Sequence, residues 1–376
     1  MIPYGRQDVD QSDIDAVIDI LKSDFLTQGP KTIEFENDLA CYCGVKYAKV
    51  TSSATSALHL AYLAIGLGRD DIVWTVPNTF VATSNAALYC CATVDFVDIN
   101  PKTYNLSIDC LKEKLIQAKK DNKLPKLVVP VHFAGQSCEM KDIWKLSKEY
   151  GFKIIEDASH ALGGEYLNKK IGSCEYSDMV VFSFHPVKMI TTGEGGAIMT
   201  NNKQLDEKIE LLRSHGITKN VSKFDNEKDG DWYYEQQALG FNYRLTDIQA
   251  ALGISQLKRL DSFVKRRRRI AARYLKKLKN IELPYQHPDT KSSWHLFVIK
   301  VKHREKVFNE LKKRGVTTQV HYIPVNKQPY YEGIALENNG NYYKECLSLP
   351  IYVDLTTKEQ DMIINNLGEI NDQCKN

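Results

Sequence analysis

The sequence predicts an α/β fold in which a mainly parallel sheet lies between helices, with a smaller α+β domain after it. The first observation is that seven short apolar, β-branched runs alternate with helix-patterned segments over the first 200 residues. The second is that two of these segments, 53–68 and 137–151, end in Gly, as helices often do. The third is a change to longer, more polar helical segments after about residue 200. We therefore expect a large domain at 1–250 and a small domain at 251–376.

The strands follow from the positions of the apolar runs. In the large domain the candidate strands are 45–50, 71–76, 93–99, 126–133, 152–157, 178–184 and 196–200. In the small domain the candidate strands 294–301 and 317–323 flank a helical segment at 305–315. No low-complexity linker separates the two parts, so we expect the domains to pack against each other.

The overall composition is that of a soluble protein. The 376 residues are 43% hydrophobic and carry a net charge of +3, which is too small to indicate a nucleic-acid partner. No apolar run reaches the roughly 20 residues of a membrane helix, and the amino terminus is acidic rather than signal-like. The nine cysteines match neither a zinc spacing nor a disulfide framework. We predict a cytoplasmic protein with no metal site and no membrane partner.

One basic run, Lys265–Arg269, has to be judged from its surroundings. It lies in a segment whose apolar residues recur at three- and four-residue spacing, which is typical of a helix. No aromatic platform or recognition motif accompanies it, so a solvated helix face is favoured over nucleic-acid binding.

Polar residues follow three of the predicted strands, where ligands bind in open parallel sheets. Thr51–Ser56, at one of these strand ends, opens a helix with hydroxyl side chains and free backbone N–H groups. Such a segment can hold a phosphate group, but Ser and Thr are also ordinary helix caps. On this segment alone, a phosphate site and a capped helix are equally good interpretations.

Lys188 and Asp157 follow the other two strands. Lys188 lies among small residues and glycines, and such a lysine can form an imine if its surroundings lower its pKa. The alternative for Lys188 alone is an ordinary surface lysine. Asp157, at a separate strand end, can keep a pyridine nitrogen protonated. Together the two residues favour an enzyme that uses pyridoxal phosphate.

The sequence resembles the DegT/StrS-type sugar aminotransferases, which belong to fold type I of the pyridoxal-phosphate enzymes. The resemblance extends over nearly the whole chain, through Leu26–Gly29, Ser53–His59, Pro77–Thr83, Val131–Gln136, Glu156–Gly163, Ser183–Gly196 and Phe241–Leu245. Dehydratases of this family have His in place of the catalytic lysine, so Lys188 favours amino transfer. Many relatives have Asn-Gly or Asn-Ser where this chain has Ser52-Ser53 before the phosphate-loop threonine.

The resemblance implies a role for individual residues. Lys188 would be the catalytic, imine-forming residue, and the remaining cofactor contacts would be Ala54, Thr55, Phe80, Gln136, Asp157, His160, Ser183 and, from the second subunit of a homodimer, Asn242. Asp157 would pair with the ring nitrogen, Phe80 would stack on the ring, and Gln136 would lie near the ring hydroxyl. Weaker candidates for substrate contacts are Thr27, His185, His215 and His321; these histidines are equally well explained as structural residues.

The resemblance also implies a reaction. The segments SHALGGEY, SFHPVKMITTGEGG and RSHGIT are most similar to family members that aminate carbon 4 of a UDP-linked 4-keto-6-deoxy-N-acetylhexosamine in pseudaminic acid biosynthesis. L-glutamate would be the amino donor. The first alternative is an aminotransferase for another nucleotide keto sugar. The second is a cofactor-binding regulatory protein without turnover, which the presence of both Asp157 and Lys188 disfavours.

Overall fold

The structure is a computed structural model and describes residues 1–331 and 336–373. The α-helices are α1 (Gln11–Leu21), α2 (Pro30–Cys43), α3 (Ala54–Ala64), α4 (Ala82–Tyr89), α5 (Ile108–Lys120), α6 (Met140–Tyr150), α7 (Lys203–Arg213), α8 (Asp247–Lys277), α9 (Arg304–Lys313), α10 (Glu337–Glu345) and α11 (Thr357–Gln373). The strands are β1 (Tyr47–Thr51), β2 (Ile72–Thr75), β3 (Thr93–Phe96), β4 (Leu127–Val129), β5 (Lys153–Asp157), β6 (Glu165–Tyr166), β7 (Lys169–Lys170), β8 (Met179–Ser183), β9 (Gly196–Thr200), β10 (Ile217–Thr218), β11 (Glu235–Gln236), β12 (Thr290–Lys291), β13 (Phe297–Lys300) and β14 (Cys346–Leu349).

The predicted α/β fold is confirmed, and all seven predicted strands of the large domain form one sheet. Its strand order is β1-β9-β8-β5-β4-β2-β3. The contacts from β8 through β5, β4 and β2 to β3 are parallel, whereas β9 runs antiparallel to both of its neighbours. Because the parallel strands end at one edge, the residues that follow β5 and β8 are brought close together.

Both faces of this sheet are buried under helices. Alternate residues of β8 point to opposite faces, so Val180 and Phe182 join the core under α2 and α8, while Met179 and Val181 join the core under α3 and α4. This explains why β8 appears in the sequence as a continuous apolar run rather than an alternating one.

Helix α8 begins beside the large sheet and extends to the small lobe, and it contains the basic run. Three arginines of that run are tied to backbone carbonyl groups rather than solvated. Arg266 donates to the carbonyls of residues 353 and 355, Arg267 to those of 294, 295 and 351, and Arg268 to those of 291 and 292. Only Lys265 and Arg269 of the run are exposed. The expectation of a solvated face is therefore wrong for Arg267, which is fully buried.

The small lobe is built on a two-stranded antiparallel sheet of β13 and β14. The predicted strand at 294–301 is confirmed by β13, and the predicted helix at 305–315 by α9. The predicted strand at 317–323 is wrong, because that segment makes only an isolated bridge from Gln319 to Ser348. The strand that pairs with β13 is β14. The proposed domain boundary at residue 250 falls in the first turns of α8. In the parts of the chain described, no helix is long and apolar enough to cross a membrane.

Candidate active site

A cavity of about 440 Å³ opens at the carboxyl ends of β5 and β8, next to the start of α3. Nine of the residues singled out from the sequence line it: Ala54, Thr55, Phe80, Asp157, His160, Ser183, His185, Lys188 and His321. They come from separate parts of the chain and meet because the sheet brings their strand ends together.

Asp157 ends β5 and is held by hydroxyl and amide donors. Its Oδ1 accepts hydrogen bonds from the Ser159 backbone N–H at 3.1 Å and the Ser159 hydroxyl at 2.6 Å. Its Oδ2 accepts from the Thr83 hydroxyl at 2.7 Å, which leaves the Thr83 oxygen to accept from Thr79 at 2.8 Å. Oδ2 can accept one further hydrogen bond, so Asp157 can still receive a proton-bearing ring nitrogen.

Lys188 follows β8 in a short loop and faces the same cavity. Burial lowers the pKa of its amine to about 8, although the nearby negative charge of Asp157 acts in the opposite direction. A much larger fraction of Lys188 is therefore uncharged near neutral pH than of an exposed lysine. This is the state that an imine-forming amine needs.

The start of α3 forms a cradle of backbone donors. Ser53 caps the helix by accepting from the Ser56 N–H at 3.1 Å, and the two residues form a capping box. The backbone N–H groups of Ala54 and Thr55 have no acceptor among the described residues, and both residues line the cavity. Two free N–H groups at a helix N-terminus suit a phosphate group, so the phosphate interpretation and the capped-helix interpretation both hold here.

A group of aromatic and imidazole side chains forms another part of the cavity wall. His160 lies with its ring centroid 4.4 Å from that of His295, and its Nε2 is 3.0 Å from the Tyr322 hydroxyl oxygen. Burial, together with the charge of Lys188, lowers the pKa of His321 to about 3. The imidazoles of this wall are therefore neutral at ordinary pH.

Four predicted residues do not line the cavity. Gln136 is turned away from it, because its side chain donates to the carbonyl of Tyr285 at 3.1 Å and accepts from the N–H of His287 at 2.6 Å. The structure therefore does not support placing Gln136 near a ring hydroxyl. Thr27, His215 and Asn242 are exposed and lie outside the cavity of their own chain.

Several cavity residues were not found from the sequence. Tyr4, Thr83, His295 and Tyr322 all line the cavity. Tyr4 comes from the amino-terminal segment and Tyr322 from a predicted strand of the small domain, so neither followed a strand of the predicted parallel sheet. A possible signal for Thr83 was its place in the resembling segment Pro77–Thr83.

The residues present fit pyridoxal phosphate. The site combines a carboxylate for a ring nitrogen, a lysine with a lowered pKa, two unpaired backbone N–H donors for a phosphate, and the exposed ring of Phe80 at the cavity edge. Fold and site together define a fold type I pyridoxal-phosphate enzyme.

Comparison with known proteins agrees with that class. Residues 7–368 match the DegT/DnrJ/EryC1/StrS aminotransferase family, and the chain belongs to this family. It is 42% identical to the UDP-4-amino-4,6-dideoxy-N-acetyl-beta-L-altrosamine transaminase of Campylobacter jejuni, over 100% of this chain and 99% of that protein.

Solved structures give the same result. Helicobacter pylori PseC, an aminotransferase involved in the biosynthesis of pseudoaminic acid, superposes with a TM-score of 0.91 at 34% identity, covering 99% of both chains. The PLP form of the putative sugar aminotransferase Spr1654 from Streptococcus pneumoniae superposes with a TM-score of 0.88 at 26% identity, again over 99% of both chains. The protein is thus a pyridoxal-phosphate-dependent aminotransferase.

Proposed function

We propose that this enzyme transfers an amino group from L-glutamate to carbon 4 of a UDP-linked 4-keto-6-deoxy-N-acetylhexosamine, as a step of pseudaminic acid biosynthesis. The observation that carries this proposal is the 42% identity, over the full length of the chain, to a transaminase named for a UDP-linked 4-amino sugar of this kind. The geometry supports the chemistry, because Lys188, Asp157 and the N-terminus of α3 surround one cavity.

The residues of the chain have separate tasks in this mechanism. Bound pyridoxal phosphate supplies an electron sink for the electron pair left when a proton leaves the donor's α-carbon. Asp157 would keep the ring nitrogen of bound pyridoxal phosphate protonated, and its own position is fixed by Ser159 and Thr83. The backbone N–H groups of Ala54 and Thr55, with the Ser183 hydroxyl, would hold the phosphate. Phe80 would contact the ring.

Lys188 acts as both the covalent anchor and the proton carrier. Its lowered pKa leaves the amine free to take the proton from the donor's α-carbon and, when the keto sugar is aminated, to give a proton to carbon 4 of the sugar. His185 and His321 line the cavity, which supports a role for both in contacting the substrate.

The active enzyme is a homodimer in this proposal, with Asn242 entering the site of the second subunit. Asn242 is exposed and outside its own cavity, and the chain segment before it exposes the large side chains of Trp232 (76% exposed) and Leu239 (81% exposed). Exposed apolar side chains that form a contiguous patch mark an interaction site. We also propose that residues 1–250 and 251–376 act as two packed domains and that the enzyme works in the cytoplasm.

The substrate is tested with purified enzyme, glutamate and a panel of UDP- and dTDP-linked 4-keto sugars, with products identified by mass and NMR. We expect a 4-amino UDP-sugar. Amination of only a dTDP-sugar would contradict the proposed substrate and favour the alternative of another nucleotide keto sugar.

The role of Lys188 is tested separately with Lys188→Ala. We expect turnover to fall at least about 10³-fold, since the residue supplies both the imine and the proton transfer. The visible absorbance of the bound cofactor should also change. Lys203→Ala, which removes an exposed lysine at the start of α7, is the matched control and should match the unaltered enzyme.

A further inference from the structure

The hydrogen bonds around His160 fix the direction of its bond to Tyr322. The backbone N–H of Ala134 donates to His160 Nδ1 at 3.3 Å, so Nδ1 is an acceptor. A neutral imidazole carries one proton, which must then reside on Nε2. Since Nε2 lies 3.0 Å from the Tyr322 oxygen, His160 donates this bond and Tyr322 accepts it.

The surroundings of His160 keep the ring neutral, as this argument requires. Burial, with the charges of Lys188 and His321, lowers its pKa well below the ordinary value. The Ser293 hydroxyl donates to the His160 carbonyl and not to the ring. The titratable groups that face the His160–Tyr322 pair from the packed segments are Tyr4, Asp157, Lys188, His295 and His321.

In this arrangement the hydroxyl hydrogen of Tyr322 has no acceptor among the described residues. Among the described residues, His160 is the hydrogen-bond partner of the Tyr322 oxygen, and no acceptor takes the phenol's own hydrogen. Burial and the negative charge of Asp157 raise the pKa of Tyr322, so it stays a phenol. Tyr322 lines the cavity together with Lys188 and Asp157.

We propose that Tyr322 is a hydrogen-bond donor of the active site, which gives its hydroxyl hydrogen to an oxygen atom of a bound ligand. Two ligand oxygens share this chemistry: the ring oxygen of pyridoxal phosphate and the carbonyl oxygen of the keto substrate. The substrate case rests on the proposed function, whereas the cofactor case rests only on the cofactor of the family.

The test compares Tyr322→Phe with the unaltered holoenzyme. The control is Tyr104→Phe, which removes a hydroxyl that bonds Glu282 at 3.4 Å and does not line the cavity. Two quantities are measured for each: the pH midpoint of the cofactor's visible absorbance without substrate, and kcat and KM with the keto sugar. Thermal unfolding confirms that both variants are folded.

Each outcome decides between the cases. If the oxygen belongs to the cofactor, the pH midpoint of Tyr322→Phe rises by about one unit, because the ionised ring oxygen has lost a donor. If it belongs to the substrate, the midpoint stays constant and kcat with the keto sugar falls about tenfold or more. If neither quantity differs from that of Tyr104→Phe, Tyr322 is not a donor to a ligand. If the enzyme does not aminate the proposed keto sugar, the absorbance measurement still tests the cofactor case, because it is made without substrate.

A second measurement needs no change at Tyr322. Nitrogen NMR of histidine-labelled enzyme, with the His160 signals assigned by their loss in His160→Gln, should show a proton on Nε2 and none on Nδ1. A proton on Nδ1 would reverse the bond direction and overturn the proposal.

Discussion

At the scale of single residues, burial determines the chemistry of Lys188. Its amine has a pKa of about 8, compared with about 10.4 for an exposed lysine. The unfolded chain therefore binds more protons than the cofactor-free folded protein between these two values. Over that interval, Lys188 makes folding more favourable as the pH rises.

We predict that Lys188 of the cofactor-free protein reacts with an amine-specific reagent at a rate that rises through about pH 8. Mass spectrometry of the labelled peptides measures the rate, with the exposed Lys203 as the internal reference. Because Asp157 raises the pKa of Lys188, Asp157→Asn should move the midpoint to lower pH. A rate for Lys188 that still climbs above pH 9 would contradict the prediction.

The residues that the sequence did and did not reveal differ in how they reach the site. Lys188 and Asp157 were predictable because each directly follows an apolar strand, and strand ends meet at one edge of a parallel sheet. Tyr322 and His295 were not predictable in this way, since they arrive through the fold of the small lobe. Gln136 lies outside the cavity because its amide bonds the 285–290 segment, a tertiary contact with no local signal.

At the scale of elements, the phosphate cradle depends on the close approach of β9. Gly196 begins this strand between Thr51 and Ser183. A Cβ atom at Gly196 would lie 2.6 Å from the backbone carbon of Ser53 and 2.7 Å from the nitrogen of Ala54. These backbone atoms cannot move away from an added Cβ without displacing the start of α3.

We predict that Gly196→Ala weakens binding of pyridoxal phosphate by about tenfold or more, which corresponds to at least about 1.4 kcal/mol. Titration of the cofactor-free protein with cofactor, followed by absorbance, measures the effect. Gly368→Ala is the control, because an added Cβ there meets no atom within 4 Å. Equal affinities for the two variants would mean that the cradle tolerates the added methyl group.

The arginines of α8 provide a second test at this scale. Arg267→Ala leaves three backbone carbonyls without their donor and opens a void, so we expect a loss of about 3 kcal/mol in the free energy of unfolding. Arg269→Ala, two residues further on and exposed, should change it by less than about 0.5 kcal/mol. Denaturant unfolding of both variants makes the comparison, and similar losses would contradict a structural role for Arg267.

Prediction of elements succeeded where local pattern and tertiary role agree. The seven strands of the large sheet are apolar runs with buried faces, and each was found. The segment 317–323 has the same β-branched character, but β14 takes the place beside β13. Sequence pattern could not show which of the two segments would pair.

At the scale of the whole molecule, the proposed homodimer makes a prediction about mixed subunits. A chain with Lys188→Ala and a chain with Asn242→Ala would each be inactive as homodimers if Asn242 acts in the partner's site. After random mixing, half of the dimers are heterodimers with one intact site of two, so about a quarter of full activity should return. Mixing two preparations of Lys188→Ala is the control.

If a mixture that is shown to exchange subunits is no more active than the separate variants, the two subunits do not share the site. If Asn242→Ala retains full activity by itself, Asn242 is not required, and the dimer proposal must rest on the exposed side chains of Trp232 and Leu239.

Helix α8 has a consequence for chimaeric enzymes made from members of this family. It is one continuous helix of 31 residues whose Thr246 cap and first turns lie by the large sheet and whose arginines hold loops of the small lobe. A crossover at residue 250 would take the first turn of the helix, up to Ala250, from one parent and the rest of the helix from the other. Exchanging small lobes at a crossover after Leu278, where the helix has ended, keeps every contact of the helix with the large domain within one parent.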